Sequence, residues 1–372
     1  MSTLQLADRH LSLGARFTEV NGMQVADHYG DPTAEHNALC RTVGAIDLSG
    51  RGRICLVGAD RERFLNGQVT NDLKHLSLGA GCYAALVNAK GKMLSDMNIY
   101  RLENELLLDF EPGLTTSITR RLEQYAVADD VQVVDAAPFY GLITVQGPRT
   151  EDTITALDLG VSIPAMPGSI AITQHSTLGE IYLANQPRLG TRGCDWFVPI
   201  KAMEEAAARL SVAMTAQQGR WCGWQSLELA RIEGGIPRYG QDIDETNLPP
   251  EAGLDDRAIS YTKGCYIGQE VIARIRTYGQ VAKALRGLRL NDELPVLPSR
   301  GDKLSKDGRE IGYVTSVAKS RIVGGNIALA YVRREANQIG THLRLHQAGR
   351  ESEAVIVSLP FVPFQGGRDQ GV

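Results

Sequence analysis

The sequence predicts an α+β protein of two to three domains ending in a small, strand-rich unit, and three observations carry that prediction. Its 372 residues exceed one ordinary domain of roughly 150 residues. Strand-like and helix-like segments are mixed up to about Lys283, after which short strands recur between Gly-rich turns, as in a small barrel or sandwich. Glycine is abundant, at 39 residues against a typical ~7% of a chain, while proline, at 15, is not raised. Glycine in excess of proline suits tight turns and close backbone approach.

In chain order, apolar alternation and β-branched runs mark strands at 53–57, 83–88, 93–100 and 105–109. Asp60 reads as the N-cap of a short helix through Phe64 and Leu65. Residues 114–125 have helical spacing, with Ile118, Leu122 and Tyr125 on one face. A strand at 140–146 is broken by Gly147-Pro148 and followed by a helix to about Leu157. Strands at 181–184 and 195–200 flank a Gly-rich turn, and helices follow at 201–216 and 225–232. The stretch 234–263 is irregular and rich in Pro, Gly and Asp, and 268–276 is helical. Strands at 285–290, 310–317, 326–332, 342–345 and 354–357 form the C-terminal unit, and the tail from Gln365 to Val372 is expected to fray.

Composition excludes several function classes. A net charge of −4 and a pI near 6.0 give no global attraction to nucleic acid or anionic membrane. No apolar run approaches the ~18 residues of a spanning helix, and the N-terminal MSTLQLADRH lacks a signal-peptide pattern, so a cytoplasmic location and no membrane partner are expected. Six scattered cysteines with no C-x-x-C argue against a structural zinc site or a disulfide framework, and no metal is expected. Gly79-Ala-Gly81-Cys-Tyr-Ala84 fits a loose dinucleotide pattern but opens a strand rather than a helix. Asp242, Asp244 and Glu245 resemble the start of a calcium loop without its glycine and terminal Glu, and read as a solvated acidic turn. There is no H-E-x-x-H and no G-x-S-x-G.

The most informative stretch is 231–276. There Gly264-Cys265 leads into a helix starting near Gly268, with Lys263 two residues before the thiol. The helix dipole and that lysine would favour a thiolate; a small residue packed in a turn is the equal alternative. The run Lys263-Gly264-Cys265-Tyr266-Ile267-Gly268-Gln269-Glu270 resembles the signature of the folate-binding YgfZ family, K-G-C-[YF]-x-G-Q-E. Arg231-Ile232-Glu233, Gly235-Ile236-Pro237-Arg238 and Leu248-Pro249-Pro250-Glu251 fit it as well. YgfZ proteins are relatives of the glycine-cleavage T-protein, an aminomethyltransferase, and the likeness spans nearly the whole chain. Arg41 to Ser49, Thr70-Asn71-Asp72, Asn88 to Asp96, Gln146-Gly147-Pro148, Tyr239-Gly240-Gln241, and Gly312 to Ser316 with Asn326 to Ala330 carry it.

The resemblance implies a three-lobed fold like that of the T-protein (GcvT-like), with a central folate channel and a C-terminal β-barrel. Its domains would be 1–50 with 138–245, an inserted 51–137, a connecting 246–282 and a barrel at 283–365. It also implies tetrahydrofolate, or a folate derivative, as cofactor. By the same resemblance Asp195 falls at the pterin-binding acid, Asp96 at the acid facing the reactive nitrogens, and Tyr83 and Lys263 at the pocket; Cys265 and Asp96 would be the reactive groups. Five basic residues, Arg274, Arg276, Lys283, Arg286 and Arg289, read as a solvated face, with a channel rim for an anionic glutamate tail as the sharper alternative.

Some positions depart from T-proteins. Ser95 replaces the first acid of an Asp-Asp pair, Gly50-Arg51 replaces a His-Met, Arg188-Leu189-Gly190-Thr191 replaces a Gly-Tyr-Thr-Gly turn, and Leu227 replaces an Arg. The expectation is therefore a tetrahydrofolate-binding accessory protein of iron–sulfur cluster assembly or repair, with iron–sulfur enzymes, including tRNA-modifying ones, as clients. The alternative is a folate-dependent aminomethyl or one-carbon transferase, and a weaker one is RNA binding through the basic stretch.

Overall fold

The computed structural model describes residues 4–279 and 281–363. Two open sheets and a closed barrel organise it. The first sheet has the strand order Ile170–His175, Gly179–Asn185, Gly193–Pro199, Tyr140–Gln146, Gly44–Asp47, Arg220–Trp221. The second has the order Gly81–Val87, Met93–Arg101, Glu105–Phe110, Gly52–Val57, Gln132–Asp135. The chain thus leaves the first sheet after Asp47, builds the whole second sheet, and re-enters the first at Tyr140. Arg53 holds this crossing: its buried guanidinium donates to the carbonyls of Ser49 (3.0 Å) and Tyr140 (2.9 Å).

Side-chain alternation along Gly193–Pro199 decides what the site contains. Cys194, Trp196 and Val198 pack in the core beneath the helix Met203–Ala216. Asp195 and Phe197 take the opposite face, where Phe197 meets Tyr100 and Leu107 of the second sheet. Asp195 therefore looks into the junction between the sheets.

The C-terminal unit is a closed six-stranded barrel, because Lys283–Leu290 pairs with both Gly325–Arg333 and Arg350–Val357. The tail expected to fray lies outside the described residues, as do positions 364 and 365 of the expected barrel. Elements without a clean period were not anticipated: the hairpin Arg16–Val20 and Met23–His28, the edge strand Ile170–His175, and the short strands Gln132–Asp135 and Lys303–Lys306. The helix Pro32–Arg41 was also missed, although Asp31 caps it through the Ala34 N–H at 3.0 Å and Pro32 opens it.

Two local expectations need correction. Asp60 precedes the helix Arg61–Gln68, but its carboxylate accepts from the Asp130 N–H rather than capping the helix. Asp242 is no solvated turn residue; it is buried, taking Arg231 at 2.5 Å and the hydroxyls of Thr315 (2.5 Å) and Ser316 (2.6 Å) from the barrel.

Candidate functional site

Between the two sheets and the helix Trp224–Glu233 lies a cavity of about 870 Å³, its open mouth included. Leu48, Trp224 and Leu227 give it apolar walls, while Asp96, Glu111 and several arginines give it charge. A broader groove continues from it, sharing Tyr83, Asn98, Gln186 and Arg257.

Tyr83 and Asp96 lie diagonally on one face of the antiparallel pair Gly81–Val87 and Met93–Arg101, where Tyr83 is opposite Asn98, and the Tyr83 hydroxyl donates to Asp96 Oδ2 at 2.5 Å. Burial pushes the Asp96 carboxyl up to about 6, with Glu111 adding to the effect and Tyr83 opposing it. Burial, and then Asp96 beside it, push the Tyr83 phenol well above its ordinary value, so the hydroxyl is the fixed donor. Arg257 lies 5.1 Å over the Tyr83 ring and lines both the cavity and the groove. Ser95, the neighbour of Asp96, turns away and is fully buried.

Below this pair runs a buried ionic chain. Arg51 donates to Asp109 at 2.7 Å and to Glu111; Arg188 donates to Asp109 at 2.6 Å and grips both oxygens of Asp195 at 2.5–3.0 Å. Burial alone would raise the Asp109 pKa, but Arg188 and Arg51 hold it well below the usual carboxylate range. Asp195 thus spends its carboxylate on Arg188 and lines neither the cavity nor the groove. At the position expected for the pterin-binding acid, an arginine fork thus supplies the paired N–H donors that a pterin edge would bring. Glu111, Arg188 and Arg238 line the cavity instead. Sequence reasoning passed over Glu111 and Asp109, whose only signal was charge ending an apolar run, and named Arg238 only as part of a motif.

Lys263 and Cys265 lie elsewhere. Lys263 is buried and its ammonium donates to the carbonyls of Asn66 (2.6 Å), Val69 (2.9 Å) and Asn71 (2.5 Å), closing the end of the helix Arg61–Gln68. Burial lowers its pKa to about 8. It is a structural residue here, not a pocket residue or the cation of a thiolate pair. Cys265 is exposed, lines neither cavity nor groove, and is not brought together with Asp96. The helix begins at Gln269, four residues beyond the thiol.

The five basic residues do not form a channel rim. Arg274 pairs with Glu270, Arg276 stacks on Tyr261 at 4.0 Å, and Lys283 donates to the Tyr313 hydroxyl at 3.0 Å. Arg286 donates to the Asn337 carbonyl at 2.8 Å, and Arg289 to Gly324 and Asp292. None of the five lines the cavity or the groove, although Arg274 and Arg276 remain exposed at the surface. No helix among the described residues is long and apolar enough to cross a membrane.

Comparison with known proteins agrees with this architecture. Residues 6–263 match the family model of the GCVT N-terminal domain, and residues 283–363 that of the glycine cleavage T-protein C-terminal barrel domain. An aminomethyltransferase from Symbiobacterium thermophilum is 29% identical, with 96% of each chain covered. A probable aminomethyltransferase from Natronomonas pharaonis is 29% identical over 97% of this chain and 99% of its own. The crystal structure of aminomethyltransferase T from Bartonella henselae superposes with a TM-score of 0.87 at 23% identity, covering 97% of this chain and 98% of that one, and thus shares the fold. The chain belongs to the family of the glycine-cleavage T-protein, in its N-terminal and C-terminal domains alike.

Proposed function

We propose that this protein is a tetrahydrofolate-dependent one-carbon transferase of the T-protein type, with Asp96 as its acid–base group. The observation that carries this reading is a buried carboxyl pushed up to about 6, fixed by Tyr83, at the wall of the cavity between the sheets. Tetrahydrofolate is the cofactor of this family and supplies the amine that takes up a one-carbon unit. The lining suits such a molecule, combining apolar walls with a few charged groups. Leu48, Trp224 and Leu227 would flank its flat ring, and Arg257 would meet its anionic glutamate at the mouth. Asp96, with one oxygen fixed by Tyr83, would hold a proton below about pH 6 and give it up above.

A second reading keeps folate binding but assigns the protein to iron–sulfur cluster assembly or repair, as a YgfZ-type protein. Cys265, exposed at the centre of the signature Lys263 to Glu270, favours it. Arg51 and Leu227, standing where T-proteins carry other residues, alter the cavity in the same direction.

One experiment separates the readings: formation of 5,10-methylene-tetrahydrofolate from an aminomethyl-lipoyl carrier, alongside calorimetric titration with tetrahydrofolate. The transferase reading expects turnover that survives Cys265→Ala and falls at least ~100-fold in Asp96→Asn, the usual worth of a general acid–base group. Folate binding without turnover overturns it in favour of the second reading. No folate binding to the wild type overturns both.

A further inference from the structure

The helices Pro32–Arg41 and Trp224–Glu233 pack together, and three side chains that do not line the folate cavity converge where they meet. His36 and Cys40 lie one turn apart on one helix face; Glu233 is the last residue of the other helix. His36 Nε2 is 2.7 Å from Glu233 Oε2 and 3.5 Å from Cys40 Sγ, and all three potential ligand atoms lie within 4.8 Å of one another. A single imidazole nitrogen therefore faces both partners, although one N–H can be directed at only one of them.

We propose that His36, Cys40 and Glu233 form a binding site for a divalent transition metal of the zinc class. The donor set is imidazole nitrogen, thiolate sulfur and carboxylate oxygen, the three ligand types that Zn²⁺ takes. With bonds of ~2.0–2.1 Å to nitrogen and ~2.3 Å to sulfur, a tetrahedral ion separates N from S by about 3.6 Å and N from O by about 3.4 Å. The observed N–S distance of 3.5 Å already suits such an ion, and the N–O distance of 2.7 Å has to open by about 0.7 Å.

The surroundings support the same assignment. Glu233 Oε1 is held by the Ser320 hydroxyl at 2.5 Å, which orients the carboxylate and leaves Oε2 toward the cluster, as an outer-shell partner of a ligand does. His36 and Glu233 are buried, each 3% exposed, whereas Cys40 is half-buried and offers the ion an entry path. The site has three protein ligands, leaving a fourth position for water, the pattern of an exchangeable rather than a closed structural zinc centre. Binding would replace the proton between His36 and Glu233 and release that of the Cys40 thiol. Two short side chains one turn apart and a third almost two hundred residues away present no metal motif in the sequence, so only the crossing of the helices brings them together.

The test is titration of the metal-free protein with Co²⁺, followed by its absorption spectrum, and with Zn²⁺ against a chromophoric chelator. One equivalent per chain is expected, with a thiolate-to-cobalt charge-transfer band. Cys40→Ser should abolish that band and weaken Zn²⁺ binding at least tenfold, while Cys265→Ser leaves both unchanged. In Cys40→Ser the buried His36 keeps its bond to Glu233; a circular dichroism melt of Cys40→Ser establishes that it is folded. Failure of the wild type to bind one equivalent, or a band that survives Cys40→Ser, overturns the assignment. Neither result bears on the folate cavity.

Discussion

Asp96 is more easily protonated in the folded chain than in the unfolded one, since burial moves its pKa from about 3.9 to about 6. The folded state therefore gains from this proton: the gain is complete below about pH 3.9 and is lost as pH rises through about 6. At pH 8 the buried charge costs about 3 kcal/mol at ~1.4 kcal/mol per pKa unit. Asp96→Asn keeps an acceptor for Tyr83 and removes the charge. Urea denaturation should find it more stable than wild type by up to about 3 kcal/mol at pH 8 and equal to it near pH 4. A stability difference independent of pH would sink this account of the carboxyl. The resemblance singled out Asp96 and Tyr83, and the fold brings them into hydrogen-bond contact at the cavity wall. For Asp195 a motif position said nothing of its partner, because Arg188, seven residues earlier, folds back onto it.

The signature Lys263 to Glu270 divides, once folded, into parts with a structural task and one part without. Lys263 gathers three carbonyls, Tyr266 packs in a core with Ile272 and Met93, and Gly268 starts the helix with φ 81°. A Cβ at Gly268 would stand 2.6 Å from the Asn88 carbonyl oxygen, so the glycine lets the helix Gln269–Tyr278 seat on the turn at 88–92. Gly268→Ala should destabilise the chain by about 2 kcal/mol or more, combining a left-handed backbone cost of ~1–2 kcal/mol with the contact. Hydrogen exchange should show the loss concentrated in 266–278; exchange unchanged there would refute the seating argument. Periodicity located the long elements of this protein well, because an apolar face repeated over several turns or residues has one reading. It failed for two-residue and edge strands such as Arg220–Trp221, whose formation depends on a partner strand already in place.

Across the whole molecule, a buried carboxylate ties the barrel to the first lobe, beside the Ser320–Glu233 bond and an apolar seam at Ile232. Asp242 accepts from Arg231 of the helix Trp224–Glu233, from the Arg238 N–H, and from Thr315 and Ser316 of the barrel strand Arg309–Ser320. Arg231 in turn pairs with Glu228, and Arg238 reaches Glu228 at the cavity wall, so the junction is continuous with the site. Removing one partner of such a network leaves a cation and two hydroxyls buried without their acceptor, which typically costs about 3–5 kcal/mol. Asp242→Ala should lower stability by that amount and split calorimetric unfolding into two transitions, with the barrel, residues 283–363, melting apart from the lobes. Asp244→Ala, two residues on, removes a partly exposed pair with Arg300 at 3.0 Å and exposed bonds from Thr246, and should cost about 1 kcal/mol. The contrast isolates burial as the cause, because both changes delete an aspartate from the same turn. If the two variants melt alike in a single transition, the barrel is held by the apolar packing of Ile232 against its Leu285, Leu329 and Tyr331 rather than by the carboxylate.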